Sequence, residues 1–315
     1  MTFRILPVAF LLAAPAAAQA FPVTVQSCDR EITFEGAPER AVSNDVNLTE
    51  MMLALGLRDR MVGYTGVSGW KTLDERLRAD VETLPELSPQ YPGREVLLGA
   101  NADFYFAGWN YGMNVGGEVT PDTLAPFGIS VYELAESCTH VMEKPKASFE
   151  DLYADIRNLG TIFGVAERAE GLVADWREDL ARQKGAARNG ARPLRVFVYD
   201  SGEDTPFTAG RYAMPTALIE AAGGVNVMDD FEKSWATVGW EEVIARDPEM
   251  ILIVDYGEVT AAQKREFLMS NPAFADVTAV REDNFVTLDY VAATPGPRNI
   301  EAVGVLARAI VEAGE

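Results

Sequence analysis

Apolar residues along this chain fall into short runs that alternate with stretches of helical spacing. Runs at Ala41 to Ser43, Met61 to Tyr64 and Ile129 to Tyr132 read as strands, and Phe21 to Val25 as an edge strand before them. Between them, Thr49 or Asn47 caps a predicted helix carrying Met51, Met52, Leu53 and Leu55 and stopped by Gly56; another helix is predicted from Pro121. From Ser148 the spacing is helical: Phe149, Leu152, Ile156, Leu159 and Phe163 recur at three and four, behind a capping box of Ser148 and Asp151, with Gly160 and Gly164 as interruptions. Helicity resumes over 165–184, with Val173, Trp176 and Leu180 inward. A second alternating set begins at Leu194 to Tyr199 and ends in a helix from Asn299 to Glu312. Strand and helix in alternation call for α/β architecture with largely parallel sheets.

Two stretches 146 positions apart repeat one unit. Glu95 and Glu241 each head a short apolar helix, an acid (Asp103, Glu249) stands just before the next strand, and aromatics follow: Trp109 and Tyr111, then Tyr256. Such a period predicts two like lobes facing across a cleft. The expected division is a leader at 1–20, an N-terminal lobe at 21–164, a connecting helix at 165–187 and a C-terminal lobe at 188–315. A helix of about 20 residues spans about 30 Å and restricts hinge opening.

The leader has three parts: Arg4, the apolar run Ile5 to Ala14, and the small-x-small site Ala18-Gln19-Ala20. The run is too short to span a bilayer, so cleavage after Ala20 and a periplasmic or otherwise extracytoplasmic location are expected. The whole chain has 27 basic and 48 acidic residues; losing Arg4 leaves 26 against 48, a net charge of −22. That acidity argues against nucleic acid and anionic membrane as partners. Cys28 and Cys138, in an oxidising compartment, are expected to form a disulfide.

The chain has one histidine, His140, read as a surface or loop residue, and no motif of a phosphate loop, nucleophile elbow or metalloprotease helix. No bare metal site, cofactor or catalytic activity is expected. Candidate binding residues are aromatics and arginines near strand ends and loops: Trp109, Tyr111, Tyr212, Trp235, Tyr256 and Tyr290, with Trp70 and Tyr91 in the first half. Arg211 and Arg298 are loop arginines able to clamp carboxylate or phosphate. The loop 110–117 has the glycine-rich composition of a binding loop or of a connector.

An ordered series of segments carries a family resemblance. The series is Ala37-Pro-Glu-Arg-Ala-Val-Ser, Thr49-Glu, Leu53-Ala-Leu-Gly-Leu, Met61-Val-Gly, Glu95-Val-Leu-Leu and Asp103-Phe, then Thr208-Ala-Gly-Arg, Ala222-Gly-Gly-Val-Asn-Val, Trp240-Glu-Glu-Val-Ile-Ala-Arg-Asp-Pro and Asn271-Pro-Ala-Phe. With these the chain resembles the periplasmic substrate-binding proteins of ABC importers for iron–siderophore complexes, haem and vitamin B12. The resemblance implies two Rossmann-like lobes joined by one rigid helix, ligand between them, slight closure, and a monomer serving a permease and its ATPase. It also implies that Glu95 and Glu241 dock into permease arginines, and that Trp109, Trp235 and Arg211 face the cleft. The chain departs from the vitamin B12 binders around Pro89 to Arg94, where an aromatic is offset to Tyr91, in the 110–117 loop and in the Cys28 segment.

The expectation is a non-catalytic receptor for a bulky metal chelate, first a ferric siderophore, because Arg211 and Arg298 would engage acidic groups. A corrinoid, supported by Trp109 and Trp235, is the alternative; haem is third, with His140, Tyr111 or Tyr290 to meet iron. A periplasmic enzyme or metallochaperone on the same fold, or a sensor, represents the other classes.

Overall fold

Two parallel sheets with a common strand order organise the chain. The computed structural model describes residues 20–69, 71, 75–185 and 192–314; the leader apart from Ala20, and Trp70, lie outside them. In the first lobe the order is Glu86–Ser88, Met61–Thr65, Ala41–Asn44, Phe104–Trp109, Ser130–Glu133, all parallel. In the second it is Gly224–Asn226, Leu194–Tyr199, Met250–Asp255, Phe285–Asp289, also parallel. In each of these sheets the strand that comes first in sequence therefore lies between the sheet's next strand in sequence and the strand that follows the repeated helix. Each sheet is covered on both faces, as buried parallel strands require.

The sequence repeat has a structural counterpart. Asp103 accepts the backbone N–H groups of Glu39 and Arg40, both at 2.9 Å, where the first strand of its lobe begins. Glu249 accepts the Arg195 N–H at 3.0 Å at the start of the first strand of the other lobe, and also binds the Arg192 guanidinium. In both lobes the repeated acid thus ties the head of one strand to the head of its neighbour, and so helps to set the parallel register.

An antiparallel hairpin, Val23–Ser27 with Arg30–Phe34, begins the described chain. Cys28 in its turn is bonded to Cys138, with Cα atoms 5.2 Å apart, as the oxidising compartment implied. The first helix starts at Val46, capped by Asp45 rather than by Asn47 or Thr49, and runs to Ala54. The Ser148–Asp151 capping box is present, and its helix continues through Gly160 to Ile162. Gly160 is no interruption: a Cβ there would stand 2.4 Å from that of Ala169, so glycine lets the next helix pack close. Gly164, at φ 72°, makes the actual turn.

That next helix, Ala166–Gly185, connects the lobes. Ala169, Val173 and Leu180 are buried, and Trp176 packs against the same core. One apolar cluster runs from Leu48, Met51 and Phe104 of the first lobe through Val173 to Leu218, Leu252 and Val303 of the second. Separate clusters back the far faces of the two sheets, around Tyr105 and around Ile253. The lobes therefore share hydrophobic burial, so separating them exposes apolar surface and is opposed.

Candidate functional site

A cavity of about 520 Å³ opens between the lobes, where the strands end. Tyr91, Tyr111, Trp235, Tyr256 and Tyr290 line it together, with Phe207, Asn110, His140, Ser234, Thr294, Lys71 and Asp200. Asn110 and Tyr111 come from the glycine-rich loop, which folds back tightly: Gly108 and Tyr111 exchange N–H···O bonds of 2.8 Å. The antiparallel ribbon of Phe207–Ala209 and Trp235–Thr237 supplies one wall, where the rings of Phe207 and Trp235 stack 5.8 Å apart.

Two matching carboxylates support the cavity, Asp200 within its lining and Asp45 behind the lining residues Lys71 and Tyr290. Asp45 directly follows the first strand of its lobe and Asp200 the first strand of the other. Both are buried. Asp45 accepts the Tyr290 hydroxyl at 2.9 Å and Asp200 the Tyr256 hydroxyl at 2.7 Å. Lys71 pairs with Asp45 and lies 4.5 Å from the centre of the Tyr290 ring; Lys264 lies 4.9 Å from that of Tyr256. The two tyrosine rings meet at 5.2 Å. Burial lowers the Lys71 ammonium pKa, against the pull of Asp45, and burial raises that of Asp200, against the Tyr256 hydrogen bond. Burial also pushes the hydroxyls of Tyr91, Tyr111, Tyr256 and Tyr290 above their ordinary range, so all four are neutral phenols. Asp45 itself has φ 72° and ψ 159°, a region that costs a non-glycine residue about 1–3 kcal/mol. Its contacts to Val46, Lys71, Tyr290, the Thr65 carbonyl and Thr49 hold it there.

The mouth is set by a chain of side chains. Tyr91 donates to the Asn110 carbonyl at 2.6 Å, and the Asn110 side-chain amide meets His140 Nε2 at 3.2 Å. His140 ends the short helical turn Ala135–His140, as an exposed residue whose ring borders the cavity, a role its sequence position did not reveal. Across the opening, the Trp235 indole N–H donates to the Tyr111 hydroxyl at 3.3 Å.

Other sequence candidates stand elsewhere. Trp109 is buried on the far face of the first sheet, where its indole N–H donates to the buried Glu133 at 2.9 Å. Glu133 also accepts from Ser27 and Arg30, so Trp109 belongs to a structural network and not to the cavity lining. Arg211 donates to the Asp229 carbonyl and to Glu232, and borders a separate hollow with Lys146 and Glu220. Tyr212, half-buried beside it, is also absent from the cavity lining. Arg298 is engaged by Glu50; it reaches a smaller adjoining cavity of about 310 Å³ that shares Lys71, Tyr256 and Tyr290 with the first. Neither arginine is aimed into the main cavity.

Glu95 and Glu241 occupy corresponding positions. Each is the second residue of its short helix, Arg94–Gly99 and Trp240–Arg246, behind an N-cap glycine. Both are exposed, and neither has a salt-bridge partner among the described residues.

Several bonds bridge the lobes on either side of the cavity. On one side Tyr290 bonds Asp45, Asn47 Nδ2 donates to the Pro295 carbonyl at 2.7 Å, and Arg298 pairs with Glu50. On the other, Met214 N–H donates to Glu136 at 2.9 Å, Ala147 N–H to the Arg211 carbonyl at 3.1 Å, and Lys146 pairs with Glu220. No group of three or more metal-ligating His, Cys, Asp or Glu side chains occurs among the described residues.

Comparison with known proteins agrees with this architecture. Residues 42–292 match the family model described as periplasmic binding protein. A crystal structure of a periplasmic binding protein from Veillonella parvula is similar at 32% identity and a TM-score of 0.80, covering 92% of this chain and 98% of that one. An uncharacterised ABC transporter substrate-binding lipoprotein of Bacillus subtilis is 23% identical over 93% of this chain and 86% of its own length. A cobalamin-binding protein of Halobacterium salinarum is 26% identical over 92% of this chain and 74% of its own.

Proposed function

The chain belongs to the periplasmic binding protein family, whose members compared above are binding proteins and not enzymes, and on that premise we propose that it captures a bulky metal chelate outside the cytoplasm and delivers it to an ABC permease. The lobes at 21–164 and 188–315, about the backbone helix at 165–187, are its two jaws.

One observation carries the choice of ligand: the cavity is walled by neutral aromatic rings, and its buried charges are matched from within. Lys71 is paired with Asp45, and Asp200 is bonded by Tyr256. The arginines that favoured an anion are committed to Glu232 and Glu50 outside the main cavity. A wall of this kind offers area and stacking to a chelate with little net negative charge. A cobalt corrinoid is the first candidate, in keeping with the cobalamin-binding relative, and Asn110, Ser234 and Thr294 are placed to bond peripheral amides. A ferric siderophore is the second reading, favoured by the Lys71 ammonium on the floor.

Quenching of Trp235 fluorescence during titration with cobalamin, cobinamide, haem and ferric siderophores tests this. Saturable binding of a corrinoid is expected; the absence of binding by every compound at micromolar concentration would overturn the proposal.

A further inference from the structure

The repeated unit extends beyond its helix. After the strand that follows that helix, each lobe places a short helical turn ahead of the sheet's next strand: Ala125–Phe127 before Ser130–Glu133, and Pro272–Phe274 before Phe285–Asp289. Each turn ends in a phenylalanine, and each phenylalanine meets the first residue of its lobe's repeated helix. In the second lobe the pair is Trp240 and Phe274, with ring centres 4.7 Å apart. In the first it is Arg94 and Phe127, with the guanidinium carbon 5.4 Å from the ring centre. The next residue of each helix is the exposed glutamate, Glu95 or Glu241, whose carboxylate folds back over the N-cap glycine.

The two copies differ in what this contact buries. Trp240 also packs on Phe197, Tyr199 and Phe267, and its indole N–H donates to the Glu203 carbonyl at 2.6 Å. Phe274 beside it is 3% exposed. Arg94 covers one face of Phe127 and leaves the ring 50% exposed, the only aromatic among the exposed large apolar side chains of the described residues. Ala125, Pro126 and Gly128 around it are exposed as well. A single apolar side chain at the surface is ordinary. Here, however, the same unit buries the matching ring in the other lobe, so the backbone does not impose the exposure. It follows from an arginine where the other copy has a tryptophan. A guanidinium stacked on a ring keeps its donors available to a partner.

On the permease-delivery reading above, on which this rests, we propose that Phe127 is the apolar anchor of the permease contact headed by Glu95. Docking is then lopsided: ring, guanidinium and carboxylate on the first lobe, against Glu241 over a closed aromatic cluster on the second. The matching surface of the permease is an apolar socket for the ring, flanked by a basic side chain for Glu95 and an acceptor for Arg94. An aromatic buried at the centre with charges at the rim concentrates affinity, whereas exposed ion pairs contribute little one by one.

The test measures binding of the full-length secreted protein to the permease–ATPase complex that imports its ligand, held in nanodiscs, beside permease-free nanodiscs of the same lipid. Phe127→Ala is expected to weaken permease binding about tenfold or more. Its thermal midpoint and cobinamide affinity are expected to match the native protein, since the ring is half exposed and outside the cavity lining. Phe127→Leu, which keeps an apolar side chain, is expected to lose less. Glu95→Arg, measured alongside, separates the two readings. Permease affinity lowered by Glu95→Arg but unchanged by Phe127→Ala would overturn this inference and leave the docking reading intact. Affinity unchanged by either would overturn both. Equal binding to permease-free nanodiscs would assign the ring to a lipid surface, and a native dimer that Phe127→Ala makes monomeric would assign it to a second copy; either result overturns the permease anchor.

Discussion

Glu136 accepts the Met214 backbone N–H at 2.9 Å across the lobe boundary, while its second carboxyl oxygen has no hydrogen-bond partner among the described residues. Met214 opens the helix Met214–Ala221, whose N-cap residue, Ala213, offers no side-chain cap. One lobe thus caps a helix of the other with a buried carboxyl group.

Burial raises the Glu136 pKa to about 8, opposed by the Met214 hydrogen bond and by Lys144, and reinforced by Asp151 and Asp155. Asp155, also buried, is pushed to about 8 by the same cause. Both folded values lie above the ordinary carboxyl value, so the folded state holds more protons than the unfolded between about pH 4.5 and 8. Stability contributed by these groups is therefore full at low pH and lost as pH rises through 8, at up to about 1.4 kcal/mol per unit for each group. Thermal unfolding followed from pH 5 to pH 8 is expected to show a falling midpoint and a shallower fall in Glu136→Gln. Equal slopes in the two proteins would refute the assignment.

The positions of Trp235 and Trp109 separate binding from folding. Trp235→Ala removes a cavity wall and is expected to weaken ligand affinity by about ten- to a hundredfold, the range of a buried aromatic anchor. Trp109→Phe deprives Glu133 of one donor and is expected to cost about 1–3 kcal/mol in denaturant unfolding with affinity unchanged. A loss of affinity in Trp109→Phe as large as that in Trp235→Ala would place both in the site.

Charge reversal at Glu95 and Glu241 tests the proposed permease contacts. Uptake in cells is expected to be lost while the purified variants bind ligand as before, since both carboxylates are exposed and outside the cavity lining. If ligand affinity falls in step with uptake, they act on the pocket or the fold.

The disulfide ties the N-terminal hairpin to the turn that ends at His140. It closes a separation of 110 residues, for which the chain-entropy model gives about 4–5 kcal/mol. Replacing both cysteines by serine is expected to lower the urea midpoint and to steepen the slope, because the unfolded chain without its cross-link exposes more surface. An unaltered midpoint would show that the hairpin is held by its other contacts alone.

Much of the fold was legible because it is written in spacing. The apolar recurrence from Phe149 to Phe163, the capping box at Ser148 and the acids Asp103 and Glu249 are local signals, and each has its structural counterpart. The aromatics Tyr91, Tyr111, Trp235, Tyr256 and Tyr290 stood out because they lie after strands or in loops, and they line one cavity. Trp109 shares that position, but as the last residue of its strand it falls on the opposite face, which proximity to a strand end does not distinguish. That Arg211 and Arg298 stand outside the main cavity lining was not legible because their partners lie elsewhere in the chain: Glu232 is 21 residues from Arg211 and Glu50 is 248 from Arg298. Asp45, Asp200 and Lys71 were missed entirely. A lone aspartate after a strand looks like a helix cap, and Asp45 is one. Aligning the two halves on their first strands would have exposed the pair.

The bonds that flank the cavity on both sides bear on how a transporter could tell a full receptor from an empty one. With the lobes held together from Tyr290 to Glu136, the span between Glu95 and Glu241 should change little on loading, so an unloaded copy would present nearly the same face to the membrane. Empty receptors would then compete with full ones for the same permease. Overproducing this protein at fixed, limiting ligand is accordingly expected to slow uptake, and uptake that keeps rising with receptor abundance would mean that occupancy is signalled by shape after all.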